Sequence, residues 1–206
     1  MSTASIGLET APMQERFDHL CRIITSERFL KMQGIGNEVP FYICPYPPEE
    51  AVVMARMQKQ LVNTIEKSGV RVLAINLYDL VIDLLQQRGI FDQMIAVEAS
   101  SDKNEFRETL QGVLDPQSHL VPAIAERMQV AAFDVMFLTG VGQVFPYIRS
   151  HRILNNLQVT AAAQPTVMFF PGVYTQSLEK GASLDLFGRL HDDKYYRAFN
   201  IYHCET

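Results

Sequence analysis

The sequence lacks a basic surplus, a cysteine framework and any long apolar run. Its 206 residues carry 18 lysines and arginines against 23 acids, a formal net charge of −5. Phosphate neutralisation supplies most of the affinity of a free-standing DNA or RNA binder, so this balance argues against direct nucleic-acid binding. Cysteine occurs three times, at Cys21, Cys44 and Cys204. The three are far apart and form no CxxC pair, which excludes a zinc ribbon or disulfide framework and suits a reducing compartment. No stretch of 18 apolar residues occurs, so no membrane association through a spanning helix is expected. Residues 1–12 contain no basic residue and no apolar stretch, so they do not fit a secretory signal. The expectation is a soluble, cytoplasmic chain, with residues 1–12 as a flexible tail and residues 13–206 as one α/β domain.

What is present is an ordinary globular balance. Apolar residues make up 48% and charged residues 20%, which excludes wholesale disorder. Four short apolar runs stand out, at residues 39–44, 70–77, 133–138 and 166–170. Runs apolar on both faces suit strands of a parallel sheet covered by helices on both sides. Helical patterns separate them. Within residues 48–67, Met54, Met57, Leu61 and Ile65 form one stripe, and Gly69 ends the helix. Residues 78–88 and 103–114 also read as helices. Leu120, Ile124 and Met128 give another stripe, and residues 145–162 a last one, with a break near Ser150. From Tyr174 on the chain reads as loop-rich, with residues 199–203 returning as an edge strand. Alternation of strand and helix predicts right-handed crossovers and a doubly wound sheet. The predicted fold is a three-layer α/β sandwich with four or five mostly parallel strands. It is a degenerate P-loop or Rossmann-like arrangement without a nucleotide motif.

In such sheets ligands sit outside the carboxyl ends of the strands. Four loops would meet there, at residues 44–48, 76–79, 139–143 and 171–174. The first stands where a phosphate loop would lie. A phosphate loop needs glycines to turn backbone N–H groups inward, and a Lys-Ser/Thr pair. Here Pro45, Pro47 and Pro48 remove three donors. Glu49 and Glu50 place negative charge at the helix start, where they complement the helix dipole and repel phosphate. The loop Thr139-Gly140-Val141-Gly142 is a weak anion-loop candidate that lacks the lysine and the full GxGxxG spacing, and reads more simply as a tight strand-to-helix turn. The phrase Gln33-Gly34-Ile35-Gly36-Asn37-Glu38 precedes a strand instead of following one, the wrong side for a dinucleotide fingerprint.

Other chemistry is equally sparse. No two of His19, His119, His151, His191 and His203 are spaced as a helical metal pair. His191-Asp192-Asp193 reads as a solvated charged turn. No GxSxG elbow occurs, and Cys44 reads as a core thiol at a strand end. Asp79 and Asp115 fit a helix first turn and a turn start. No catalytic, metal or cofactor-binding residue is therefore assigned, and no cofactor is expected. Arg149, His151 and Arg152, together with Arg189, Tyr195, Tyr196 and Arg197, lack an evident core role and are candidate partner-binding residues, because Arg and Tyr are favoured interface anchors.

Several phrases together carry a resemblance. They are Phe29-Leu30 with Gly34-Ile35-Gly36-Asn37-Glu38-Val39-Pro40-Phe41 and Cys44-Pro45, then Ala74-Ile75-Asn76-Leu77-Tyr78-Asp79-Leu80. Thr139-Gly140-Val141-Gly142 follows, with Phe145-Pro146-Tyr147-Ile148-Arg149-Ser150-His151. Gln164-Pro165-Thr166-Val167-Met168-Phe169-Phe170-Pro171-Gly172 and Leu186-Phe187-Gly188-Arg189-Leu190 complete the set. In this order they resemble the BrxB family, a core component of bacterial BREX (bacteriophage exclusion) systems. The likeness runs from about Phe17 to the C-terminus. BREX systems mark host DNA by adenine methylation and block phage replication, and include the methyltransferase PglX, the phosphatase-superfamily protein PglZ and the ATPase BrxC. The resemblance brings no catalytic residues. It implies an accessory or adaptor that works with other BREX proteins, PglZ foremost. The alternative from the residues is a nucleotide- or anion-binding enzyme or sensor using the strand-end crevice near Thr139 and Arg149.

Overall fold

Residue alternation along three strands divides the core into two layers of side chains. In β1 (Phe41–Tyr46), Phe41 and Ile43 join one buried cluster while Tyr42 and Cys44 join the other. The same split recurs in β3 (Val135–Thr139) and β4 (Thr166–Ser177), where Met136, Leu138, Met168 and Phe170 oppose Val135, Phe137, Val167 and Phe169. A strand buried on both faces needs cover on both. The computed structural model describes residues 7–34, 40–177, 181–192 and 198–206. In it, β2 (Val72–Asn76), β3, β4, β1 and β7 (Ala198–Asn200) lie in that order, and every adjacent pair is parallel.

One face is covered by α1 (Met13–Ile24), α2 (Glu27–Leu30) and α3 (Ala51–Lys67). Helix α3 docks through Met54, Met57, Leu61 and Ile65, each contributing about 1.5–3 kcal/mol relative to exposure. It ends where Gly69 takes φ of 88°, the left-handed conformation that stops a helix. The other face is covered by α4 (Leu77–Gln87), α7 (Val121–Val130) and α8 (Ser150–Leu157). Between α4 and α7 run α5 (Phe91–Ser100) and α6 (Lys103–Val113). This is the three-layer sandwich expected from the sequence.

Three expectations change in detail. The loop-rich segment after Tyr174 instead continues β4 to Ser177, which pairs antiparallel with β5 (Gly181–Leu186), itself paired with β6 (Leu190–Asp192). Gly172 is the pivot where β4 leaves the parallel sheet, and a Cβ there would meet the Asp185 carbonyl oxygen at 2.2 Å. The last helical pattern shortens to α8, because Arg149 is extended at φ −100° and ψ 134° and Pro146 cannot donate to a helical bond. Of the expected tail, residues 1–6 lie outside the described residues, and the remainder is ordered differently. Leu8–Thr10 form a helical turn, Ala11 is buried, and Glu9 accepts a hydrogen bond from Asn200 beside β1. Among the described residues no helix is long and apolar enough to cross a membrane.

Candidate functional site

The C-terminal ends of β1, β2 and β3, and the point at Pro171 where β4 leaves the parallel sheet, border one crevice of about 600 Å³. Tyr46, Asn76 and Thr139 come from the strand ends and Pro171 from within β4, the 140–143 turn forms one wall, and the start of α3 forms another. Phe187, in the turn between β5 and β6, closes the far side. Three of the four segments expected to converge do so as corners after β1, β2 and β3; the fourth, residues 171–174, is not a loop but part of β4, and reaches the crevice through Pro171 alone.

The corner after β1 has no room for a phosphate loop. The strand runs through Pro45 to Tyr46, in register with Pro171. Pro48 already begins the helical turn that leads into α3. One residue separates strand from helix, and proline supplies no N–H at positions 45, 47 or 48. Glu50 does not front the crevice as expected. It forms an ion pair with Arg16 of α1, a side chain only 2% exposed. Burial pushes the Tyr46 hydroxyl up to about 12, so it stays protonated in neutral solution.

The corner after β3 contains glycines for a different reason. Gly140 has φ of 74°, and a Cβ there would lie 2.3 Å from Asn76 Oδ1. That same oxygen accepts from the backbone N–H groups of Tyr78 at 2.9 Å and Asp79 at 3.4 Å, capping α4. Gly142 admits Pro171 Cγ and the Phe187 ring, which a Cβ would meet at 2.9 and 3.1 Å. Thr139, Gly140 and Gly142 do line the crevice, but the glycines make way for neighbouring side chains.

The residues that sequence reasoning missed are Arg56 and Lys59, both exposed on the α3 wall. Their sequence signal was partial: with Val52 and Ala55 they repeat at i, i+3, i+4 and i+7, opposite the buried methionine stripe. The candidate partner-binding residues divide. Arg149 is exposed and lies over the Phe145 ring at 6.0 Å, and Phe145 meets Phe187 edge-on at 6.2 Å. Arg189 is exposed two residues beyond Phe187. The aromatic contact thus brings the segments of Arg149 and Arg189 to the crevice rim. Arg152 is exposed on α8. His151 is corrected: it is buried with Ile153, Leu154 and Leu157, because α8 turns this side to the core, so it offers no surface to a partner. Tyr195, Tyr196 and Arg197 lie outside the described residues, as do Asp193 and the side chains of His191 and Asp192.

Cys44 is fully buried and its thiol donates to Tyr202 Oη at 3.4 Å. Burial pushes that thiol up to about 12, which removes the thiolate a nucleophile needs. Among the described residues no three His, Cys, Asp or Glu side chains are grouped to hold a metal.

The sequence profile described as "BREX protein BrxB" matches residues 73–201, more than half of the chain. The chain belongs to the BrxB family. Two curated relatives carry the same description. That of Bacillus cereus (strain H3081.97) is 36% identical over 196 residues, covering 92% of this chain and 97% of the relative. That of Escherichia coli O9:H4 (strain HS) is 30% identical over 189 residues, covering 92% and 91%. No solved structure matches the chain. Membership of the BrxB family places the chain in a BREX system and implies a role in phage defence. The profile spans β2 to β7, and so includes the Asn76–Gly140 contact.

Proposed function

We propose that this BrxB-family chain is a non-catalytic adaptor of its BREX system and that it binds PglZ. The observation that carries this reading is the state of the strand-end crevice. It occupies the place where a doubly wound sheet grips a nucleotide, yet proline removes three backbone donors from one corner, and in the other the Asn76 carboxamide oxygen lies against Gly140. The net charge of −5 favours a protein partner over DNA or RNA. The test is co-purification of the tagged full chain with PglZ from cells expressing the whole system, at low salt. Capture of PglZ is expected, and a chain that emerges alone overturns the reading.

A nucleotide- or anion-binding enzyme or sensor is the second reading, favoured by Arg56 and Lys59 on the crevice wall. A ligand at a hundred times its dissociation constant stabilises a protein by about 2.7 kcal/mol. Millimolar ATP, GTP or NAD with magnesium would then raise the melting temperature by several degrees. The adaptor reading expects no shift with any of the three.

A further inference from the structure

We infer that the crevice is a docking groove for an acidic segment of a BREX partner protein, held by Arg56 and Lys59 of α3. The inference rests on the adaptor reading and adds the surface and the chemistry of its occupant. Val52, Ala55, Arg56 and Lys59 form one helical stripe on the crevice wall. Met54, Met57, Leu61 and Ile65 hold the opposite side of α3 in the core. The stripe is uncovered: Val52 keeps 66% of its surface, and Ala55, Arg56 and Lys59 are exposed. Among the described residues neither cation pairs with a carboxylate.

Charge separates this groove from the rest of the molecule. Acids outnumber bases 23 to 18 in the chain, yet no acidic side chain lines the crevice. Glu50, the acid nearest in sequence to α3, is held by Arg16. A positive groove on an acidic protein repels most acidic surfaces at large and attracts a carboxylate-bearing segment locally.

The same geometry selects a peptide over a phosphate. A phosphate site converges backbone N–H groups on one anion; proline supplies none at positions 45, 47 and 48, and the Asn76 carboxamide oxygen, an acceptor that repels an anion, lies against Gly140 in the other corner. What remains is two long, exposed cations three residues apart, neighbours at about 5–6 Å between Cβ atoms. That spacing suits two separate carboxylates. Val52 and Ala55 beside the cations, with Phe187 across the groove, offer apolar surface to an aliphatic side chain of the same segment.

The experiment places a photoreactive p-benzoylphenylalanine in place of Val52 in the full chain, in cells carrying the whole BREX system. Crosslinked peptides are then sequenced by mass spectrometry. The expected product is one BREX protein joined through a segment with at least two acidic residues. The double substitution Arg56→Glu and Lys59→Glu should cut the crosslink yield about tenfold or more, with an unchanged melting temperature. Exchanging the segment's acids for lysine should restore it. No crosslink to any BREX protein, a segment without acids, or full yield from the double variant each overturns the groove. An acidic crosslinked segment in a protein other than PglZ keeps the groove and removes PglZ. PglZ capture that survives the double variant keeps the adaptor and removes the groove. A thermal shift with ATP-magnesium or inorganic phosphate that the double variant abolishes makes the occupant a phosphate compound and overturns the peptide.

Discussion

The corners that follow β1 and β3 stand on either side of β4 and face the same crevice. The first is rigid and proline-built, and backed by ionisable groups: Arg16 holds Glu50, and His19 of the same helix bonds the Ile201 carbonyl. The second is glycine-built and backed by neutral groups, the Asn76 carboxamide, Pro171 and Phe187. Proline thins out the donors of the first corner, and a side chain crowds the second. Proline removes the N–H outright, whereas glycine, the residue that usually opens a backbone to an anion, here admits a side chain. Glycine beside a strand end therefore signals close approach, and only the neighbour decides whether the visitor is a ligand or another part of the chain.

The largest effect should come from the first corner. Glu50→Gln leaves the Arg16 charge buried without its partner and should lower stability by about 3 kcal/mol, since breaking such a pair strands a desolvated ion. Denaturant unfolding measures it, and a loss under about 1 kcal/mol would mean that Arg16 is solvated. Gly140→Ala should cost about 2–3 kcal/mol, combining left-handed strain with the overlap on Asn76. Asn76→Ala should cost about 1 kcal/mol through the lost cap on α4. If Asn76 is the obstacle at Gly140, the double variant should be more stable than the sum of the singles predicts, by about 1 kcal/mol. Strict additivity would mean that the glycine serves backbone conformation alone and makes no room for Asn76.

The smallest effect is in pH. Arg22 donates to His19 Nδ1 at 3.2 Å, so Nε2 carries the proton and donates to the Ile201 carbonyl at 3.1 Å. Burial holds His19 below the usual histidine value; the Ile201 bond pulls it back in part, and the Arg22 charge adds a smaller downward push. The folded state favours neutral His19. Its contribution is full above about pH 6.5 and is lost as pH falls through the lowered folded-state value. The melting temperature should decline below that pH, and less steeply in His19→Gln. An equal slope in both proteins would remove the ionisable backing from the first corner.

Much of the fold was legible because its signals are local. The doubly buried strands and the α3 stripe follow from apolar pattern, and the boundary at Gly69 from turn chemistry. The β5–β6 extension was not legible. Its pairing depends on β4 changing partner at Gly172, a contact between residues remote from any periodic signal. Helix α1 escaped despite Leu20, Ile23 and Ile24 at helical spacing, because a buried Arg16 and His19 interrupt the apolar stripe. In the crevice the convergence of the corners after β1, β2 and β3 was foreseeable from the topology of parallel sheets, whereas the continuation of β4 through residues 171–174 was not. The place of Arg56 and Lys59 on the crevice was not legible, because the polar face of an amphipathic helix reads the same whether it meets open solvent or lines a groove.

By itself the sequence determined the alternation of strand and helix, the missing phosphate loop and the family, since each resides in residue order and composition. Only the folded chain shows that Glu50 turns to Arg16 and that the Asn76 side chain lies against Gly140. Those outcomes depend on which side chains meet across the sheet. Such meetings are set by packing geometry between segments tens of residues apart, which no local pattern encodes.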